Sequence, residues 1–100
     1  MKKQINKLVR DNIPSMCKNP ETRILDEVEY TAALKLKLKE EVGEYLQDNN
    51  IEELADIMEV VEALAENQGS SLQEVMEFKQ RKQIRNGAFK ERIFLISVDG

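Results

Sequence analysis

The amino-acid sequence predicts an all-α fold, in which an antiparallel helical hairpin is followed by a third helix within a single domain of residues 1–100. Residues 34–65 contain two helical patterns of apolar residues, separated only by the polar segment Gln47-Asp48-Asn49-Asn50. A connection this short favours two antiparallel helices. The composition agrees, because 41% hydrophobic and 34% charged residues suit a helical protein, whereas 5% aromatic residues are few for an all-β one.

The first helix is predicted over residues 25–47, with Asp26 as its N-terminal cap. Glu41 lies in the middle of the apolar face of this helix, which is formed by Leu34, Leu38, Val42 and Tyr45. A carboxylate on a buried face is costly unless a positive charge meets it.

The second helix is predicted over residues 51–67, and Gly69 suits the left-handed position that often follows a helix. Glu53 falls inside its apolar face and Asp56 lies at the margin. This face is formed by Leu54, Ile57, Met58, Val61, Leu64 and Ala65, with Val60 widening it on one side.

The third helix is predicted over residues 71–85, because the segment Ser70-Ser71-Leu72-Gln73-Glu74 satisfies the capping-box pattern twice. Residues 1–23 are predicted to be irregular, since two prolines interrupt any long helix there. Residues 89–98 have β propensity. The fold prediction therefore allows short terminal β-strands, with residues 89–98 beside residues 4–9.

The predicted hairpin brings together the acidic residues that lie on or beside its apolar faces. With the turn centred between Asp48 and Asn49, Glu44 lies opposite Glu53, and Glu41 lies opposite Asp56. Like charges so close repel and raise one another's pKa unless a cation intervenes. A cluster of oxygen ligands alone suits Mg²⁺ or Mn²⁺.

Composition excludes several classes of function. The absence of histidine excludes Ser-His and Cys-His catalysis and His-ligated zinc, and a net charge of −4 argues against a stable nucleic-acid-binding surface. No apolar run approaches the length of a membrane span, and the N-terminus lacks the apolar core of a signal peptide. The single Cys17 can form no internal disulfide, so we expect a cytoplasmic protein without membrane association.

Three segments resemble a known family. Glu40-Glu41-Val42-Gly43-Glu44 followed by Glu53-Leu54-Ala55-Asp56 resembles the EExxE…ExxD signature of the MazG-like nucleoside triphosphate pyrophosphohydrolases, which belong to the all-α NTP pyrophosphatase superfamily. Residues 7–14, KLVRDNIP, are similar to the KLVRDxIP opening of a single-domain branch called phosphoribosyl-ATP pyrophosphohydrolase-like. Asn86-Gly87-Ala88-Phe89 with Arg92 resembles the Gly-Gly-Phe ending of that branch, although Ala88 replaces the second glycine.

The resemblance implies Mg²⁺-dependent cleavage of a nucleoside triphosphate (NTP or dNTP) between its α and β phosphates, which releases the monophosphate and pyrophosphate. It also implies metal ligation by Glu41, Glu44, Glu53 and Asp56. Glu40 and Glu41 are the catalytic candidates, with Glu40 as an auxiliary metal ligand or a group that positions water. The separation of Glu44 from Glu53 is short for the family. The candidate phosphate-binding residues are Lys7, Arg10, Lys79, Lys82 and Arg92, of which Arg10 and Lys79 are the first choices.

Simpler interpretations remain beside this one. Lys7 and Arg10 could belong to a surface arm with a local ion pair, and Glu40 could be a solvent-facing charge. The chain could be a non-enzymatic oligomeric helical adaptor that holds a structural cation, or a phosphoribosyl-ATP pyrophosphohydrolase. Because two long helices in so short a chain leave apolar margins uncovered, we expect a homodimer or homotetramer.

Overall fold

The structure is a computed structural model that describes residues 2–100. It consists of a short 3-10 helix at Pro14–Met16 and three α-helices, α1 (Glu27–Asp48), α2 (Ile51–Asn67) and α3 (Leu72–Asn86). The all-α prediction is confirmed, and each α-helix begins and ends within two residues of its predicted bounds. Within residues 2–100, no helix combines the length and apolarity required to cross a membrane.

The start of α1 is held by a complete capping box. The Asp26 carboxylate accepts a hydrogen bond from the Glu29 backbone N–H at 2.8 Å, and the Glu29 carboxylate accepts one from the Asp26 N–H at 3.4 Å. Arg23 donates to both carboxylate oxygens of Glu29, at 3.1 and 2.7 Å. These contacts join the end of the N-terminal arm (residues 2–26) to the first turn of α1.

Removing the charge of Glu29 should destabilise the protein in a pH-dependent way. Hydrogen bonds from Arg23, and then from the Asp26 backbone, hold the pKa of Glu29 at about 2, below its ordinary value of 4.5. Because the folded-state pKa is depressed, this stabilisation is present above pH 4.5 and is lost as pH falls toward 2. Thermal melts followed by circular dichroism should show a lower midpoint for Glu29→Gln than for wild type at pH 6, and a difference that shrinks as pH falls toward 2.

Glu27→Gln is the matched control, because Glu27 lies in the same helical turn and its carboxylate forms no ion pair within residues 2–100. A difference between wild type and Glu29→Gln that persists unchanged down to pH 2 would contradict the assigned pKa.

The turn between α1 and α2 is very short. Asn49 ends α1 in the left-handed conformation (φ 54°), and its N–H donates to the Tyr45 carbonyl at 2.8 Å. Asn50 then caps α2, since its side chain accepts the Glu52 N–H at 3.0 Å. The polar segment therefore ends one helix and begins the next, as its composition predicted.

The two helices of the hairpin pack antiparallel along their length. Leu34 of α1 and Val60 and Ala65 of α2 form its buried apolar centre. Near the open end, the Asn67 amide donates to the Thr31 hydroxyl at 2.9 Å. This contact lies within one residue of the register predicted for the acidic residues, which is centred between residues 48 and 49.

The apolar face predicted for α2 is partly wrong. Leu54 and Met58 remain 36% and 41% exposed, while Glu53, Asp56 and Ile57 are half-buried. A single neighbouring helix covers only a narrow stripe of α2, and here that stripe includes the acidic positions rather than Leu54 and Met58. Leu54 and Met58 therefore stay at the surface, while Val60 and Ala65 are buried as predicted.

The terminal strands that the fold prediction allowed are absent, since residues 2–100 contain no β-strand. Residues 93–100, beyond α3, form no helix or strand, and Phe89 and Ile96 are 99% and 89% exposed. A strand requires a hydrogen-bonded partner. Residues 4–9 provide none, because Lys7 instead contacts α1 and the neighbouring residues Leu8 and Val9 are half-buried.

Candidate metal centre

Three carboxylates from the two helices of the hairpin converge on one point. Glu41 comes from α1, and Glu53 and Asp56 come from one face of α2, where residues three apart are neighbours. One oxygen of each residue lies within 4.8 Å of the corresponding oxygens of the other two. We call these three residues the carboxylate cluster.

Glu41 is the centre of the cluster. Its residue surface is 7% exposed, and it is the one buried charged or polar residue within residues 2–100. Its Oε2 atom has no hydrogen-bond partner in that part of the chain, and its Oε1 atom lies 3.5 Å from the Lys37 ammonium. Burying an unpaired carboxylate oxygen is costly, and such groups are rare in folded proteins. The exception is accounted for if a cation contacts Oε2.

The carboxylates of the cluster lie in an environment that disfavours their negative charge. Burial, followed by the charge of Glu44, raises the pKa of Glu41, and the Lys37 ammonium opposes this rise. Burial and then the same Glu44 charge also raise the pKa of Glu53. The charge of Glu44 thus adds to the demand for a cation, although Glu44 is not one of the three residues whose oxygens converge.

The spacing of the oxygen atoms suits a small divalent ion. Ligand oxygens about 2.1 Å from an octahedral Mg²⁺ lie roughly 3–4.2 Å apart. The oxygens of the cluster lie within 4.8 Å of one another, so they would have to move closer together to contact one such ion at the same time. Carboxylate oxygens favour Mg²⁺, Mn²⁺ or Ca²⁺ over metals that prefer nitrogen or sulfur.

The N-terminal arm brings two predicted cations to the edges of the cluster. Lys7 donates to Glu40 Oε1 at 2.9 Å, and Arg10 donates to Asp56 Oδ1 at 2.7 Å. A second nitrogen of Arg10 lies 3.8 Å from Glu59. The alternative of an ion pair local to the arm does not describe these residues, because both contact the helical hairpin.

Lys37 is a functional candidate that the sequence interpretation missed. Its ammonium lies 3.6 Å from Glu40 Oε2 and 3.5 Å from Glu41 Oε1, and its side chain is only 17% exposed. The signal was present in the spacing, since Lys37 precedes these glutamates by three and four residues on one helix.

The remaining predicted cations are not brought to the cluster by any ion pair. Lys79, Lys82 and Arg92 are exposed, and none pairs with an acidic residue within residues 2–100. The first half of α3 packs instead against the second half of α2, where Val75 and Phe78 line a cavity together with Val61 and Leu64. The assignment of Lys79, Lys82 and Arg92 to phosphate binding stays a prediction.

The site thus combines a buried acidic centre with a basic rim, an arrangement that can hold a divalent cation beside an anion. Comparisons of this chain with models of known protein families, with curated proteins and with solved structures gave no match.

Proposed function

We propose that this protein is a Mg²⁺-dependent pyrophosphohydrolase that converts a nucleoside triphosphate to the monophosphate and pyrophosphate, with Mn²⁺ as a possible substitute. The observation that carries the proposal is the buried Glu41 carboxylate, which has an unpartnered Oε2 and belongs to a three-carboxylate cluster. The resemblance of residues 40–56 to the MazG-like signature supplies the reaction. Maintenance of the nucleotide pool in the cytoplasm is the role that we attach to it.

Each residue of the site has a task in this reaction. Glu41, Glu53 and Asp56, with Glu44 beside them, would hold the cation, which supplies charge neutralisation and Lewis-acid polarisation of the phosphoanhydride. Glu40 would orient the attacking water. Its hydrogen bond from Lys7, helped by the charge of Lys37, lowers the pKa of Glu40, so its carboxylate is ionised at neutral pH and can accept a hydrogen bond from water.

Arg10 would bind phosphate next to the cation. A guanidinium has five N–H donors, and Arg10 donates one hydrogen bond to Asp56 while its side chain stays 54% exposed. The remaining donors can hold phosphate oxygens in pairs, which a lysine cannot do. Charge that develops on the leaving pyrophosphate would be stabilised there.

The proposal predicts pyrophosphate release from at least one nucleotide in a panel of NTPs and dNTPs that also includes phosphoribosyl-ATP. Release should require Mg²⁺ or Mn²⁺ and stop with a chelator. The assay should measure pyrophosphate and orthophosphate separately, because cleavage between the α and β phosphates yields pyrophosphate only. If the ion binds but no nucleotide is hydrolysed, the adaptor with a structural cation is favoured instead. Selective hydrolysis of phosphoribosyl-ATP would favour the other alternative.

We also propose that the protein forms a homodimer or homotetramer. Val42 and Leu46 of α1 and Ile51, Leu54 and Met58 of α2 are large apolar side chains in the half of the hairpin next to the turn. All five are exposed, with Leu46 and Ile51 at 70% and 75%. An apolar patch of this kind is typical of an interface. Light scattering at micromolar concentration tests it, and the mass of one chain would exclude the oligomer.

A further inference from the structure

The segment after α3 contains an apolar run that a single chain leaves uncovered. Residues 93–98 read IFLISV, and all but Ser97 are large and apolar. Phe94 and Ile96 are 87% and 89% exposed, and Val98, the least exposed of the five apolar residues, is still 72% exposed. A short continuous apolar run is typical of a segment buried on both faces. We call residues 92–100 the C-terminal tail, and its composition requires a surface to pack against.

A groove between α2 and α3 provides a surface of matching chemistry. The groove has a volume of about 340 Å³, and its apolar walls are Val61, Leu64, Ala65, Val75 and Phe78. We call it the α2–α3 groove. Pockets of about 300 Å³ or more can hold a whole small ligand, so a large side chain such as Phe94 fits this space. Phe78 remains 53% exposed, and within residues 2–100 the tail of the same chain does not line the groove.

The total exposed surface points to a second copy of the chain as the source of the missing contact. One chain exposes 9396 Å². A compact monomer of 11.6 kDa would expose roughly 5,800 Å². The excess, roughly 3,500 Å², is several times the roughly 800 Å² that one partner contributes to a standard protein interface. The radius of gyration, 18.0 Å, also exceeds the roughly 13 Å of a compact domain of this length.

Two copies can satisfy both uncovered surfaces at once. The tail and the groove lie on the same chain, so each copy has one of each. In a dimer with two-fold symmetry, a contact from the first copy to the second is repeated from the second to the first. Exchange of an identical segment between copies is a low-cost route to such a dimer.

We propose that the C-terminal tail of one copy packs into the α2–α3 groove of a second copy, and that the exchange is reciprocal. This inference goes beyond the proposed function, because it names the segment that joins the copies and does not depend on nucleotide hydrolysis. The groove is formed by the second half of α2 and the first half of α3. The apolar patch that includes Leu46 and Ile51 lies instead beside the turn between α1 and α2.

Light scattering over a range of concentrations, with the full-length chain, tests the role of the tail. The double variant Phe94→Asp/Ile96→Asp should raise the dissociation constant of the oligomer on the order of 100-fold or more, because it replaces two buried apolar side chains in each tail with charges. Ile24→Asp is the matched control, since Ile24 is 94% exposed in the N-terminal arm and does not line the groove. It should keep the wild-type mass. Circular dichroism should show that all variants remain helical.

Cysteine cross-linking tests the contact itself. Cys17 is exposed and free, so the background is Cys17→Ser. Ile96→Cys in one chain and Phe78→Cys in a differently tagged chain should form a disulfide-linked heterodimer after mixing and mild oxidation. Ile84→Cys replaces Phe78→Cys in the control, because Ile84 is an exposed residue of the same helix outside the groove. It should cross-link at least 10-fold less.

A chain that carries both Ile96→Cys and Phe78→Cys separates exchange from folding back. A disulfide between chains supports the exchange, whereas a disulfide formed only within one chain would overturn it. Loss of the oligomer in Leu46→Asp but not in the tail variant would also overturn the exchange and would leave the patch beside the turn as the interface. The mass of one chain for wild type at every concentration would overturn both interfaces and leave the catalytic proposal intact.

Discussion

Glu41→Gln is expected to abolish hydrolysis and divalent-cation binding while making the metal-free protein more stable. The substitution keeps the shape of the side chain but removes the negative charge from the centre of the cluster. Mutation of residues that only orient metal ligands commonly costs 10–100-fold, so loss of a ligand charge should cost on the order of 100-fold or more in cation affinity and activity. Glu53→Gln should have the same effect on binding.

Glu41→Gln should stabilise the metal-free protein, although it abolishes activity, because the charge of Glu41 is poorly compensated without a cation. Its Oε2 is buried without a partner, and the net effect of its surroundings is to raise its pKa. Removing the charge should therefore stabilise the metal-free fold by on the order of 1 kcal/mol, a rise in Tm of about 4–8 °C for a domain of this size. Loss of activity with gain of stability distinguishes a functional charge from a structural one.

The measurements are calorimetric titration with Mg²⁺, the pyrophosphate assay and thermal melts in the presence of a chelator. Glu66→Gln is the control, since Glu66 is an exposed glutamate of α2 without an ion pair within residues 2–100. Glu66→Gln should leave the Mg²⁺ affinity, the rate of hydrolysis and the Tm unchanged. Near-wild-type hydrolysis by both Glu41→Gln and Glu53→Gln would refute the metal assignment.

Saturating Mg²⁺ is expected to raise the thermal stability of the wild-type protein strongly. An ion present at 100 times its dissociation constant stabilises the fold by about 2.7 kcal/mol if it binds only the folded chain. For a domain of this length that corresponds to a shift in Tm of roughly 10–20 °C. The cluster is assembled from two helices, so the unfolded chain lacks it. No shift should occur in Glu41→Gln.

The effect of pH follows from the raised pKa values of Glu41 and Glu53. A carboxyl group with a raised folded-state pKa binds more protons in the folded than in the unfolded chain above its ordinary value of 4.5. These two groups therefore lower the stability of the metal-free protein as pH rises from 4.5. The rise in Tm caused by Mg²⁺ should instead become larger as pH rises over the same range, because the ion requires ionised ligands.

Melts of wild type and Glu41→Gln from pH 4.5 to 7, with Mg²⁺ or a chelator, measure both trends. A shift induced by Mg²⁺ that does not depend on pH, or that persists in Glu41→Gln, would place the ion elsewhere.

Local signals predicted most of the fold. The cap at Asp26 and the Asn49-Asn50 turn are decided by residues within one helical turn, so the helix bounds followed from the sequence. The meeting of Glu41 with Asp56 also followed, because a very short connection leaves few registers for two antiparallel helices. Each of these features depends on neighbours that are close along the chain.

The sequence by itself determined three helices, the hairpin register and a carboxylate on a buried helix face. Only the tertiary structure decided that the arm lies across the hairpin through Lys7 and Arg10, and that Leu54 is left exposed. It also left the segment after α3 without a strand partner. The physical reason is range: helical periodicity and caps act within a few residues, whereas the ion pairs of the arm join residues 33 and 46 positions apart. Which side chains such contacts cover depends on the packing of the whole chain.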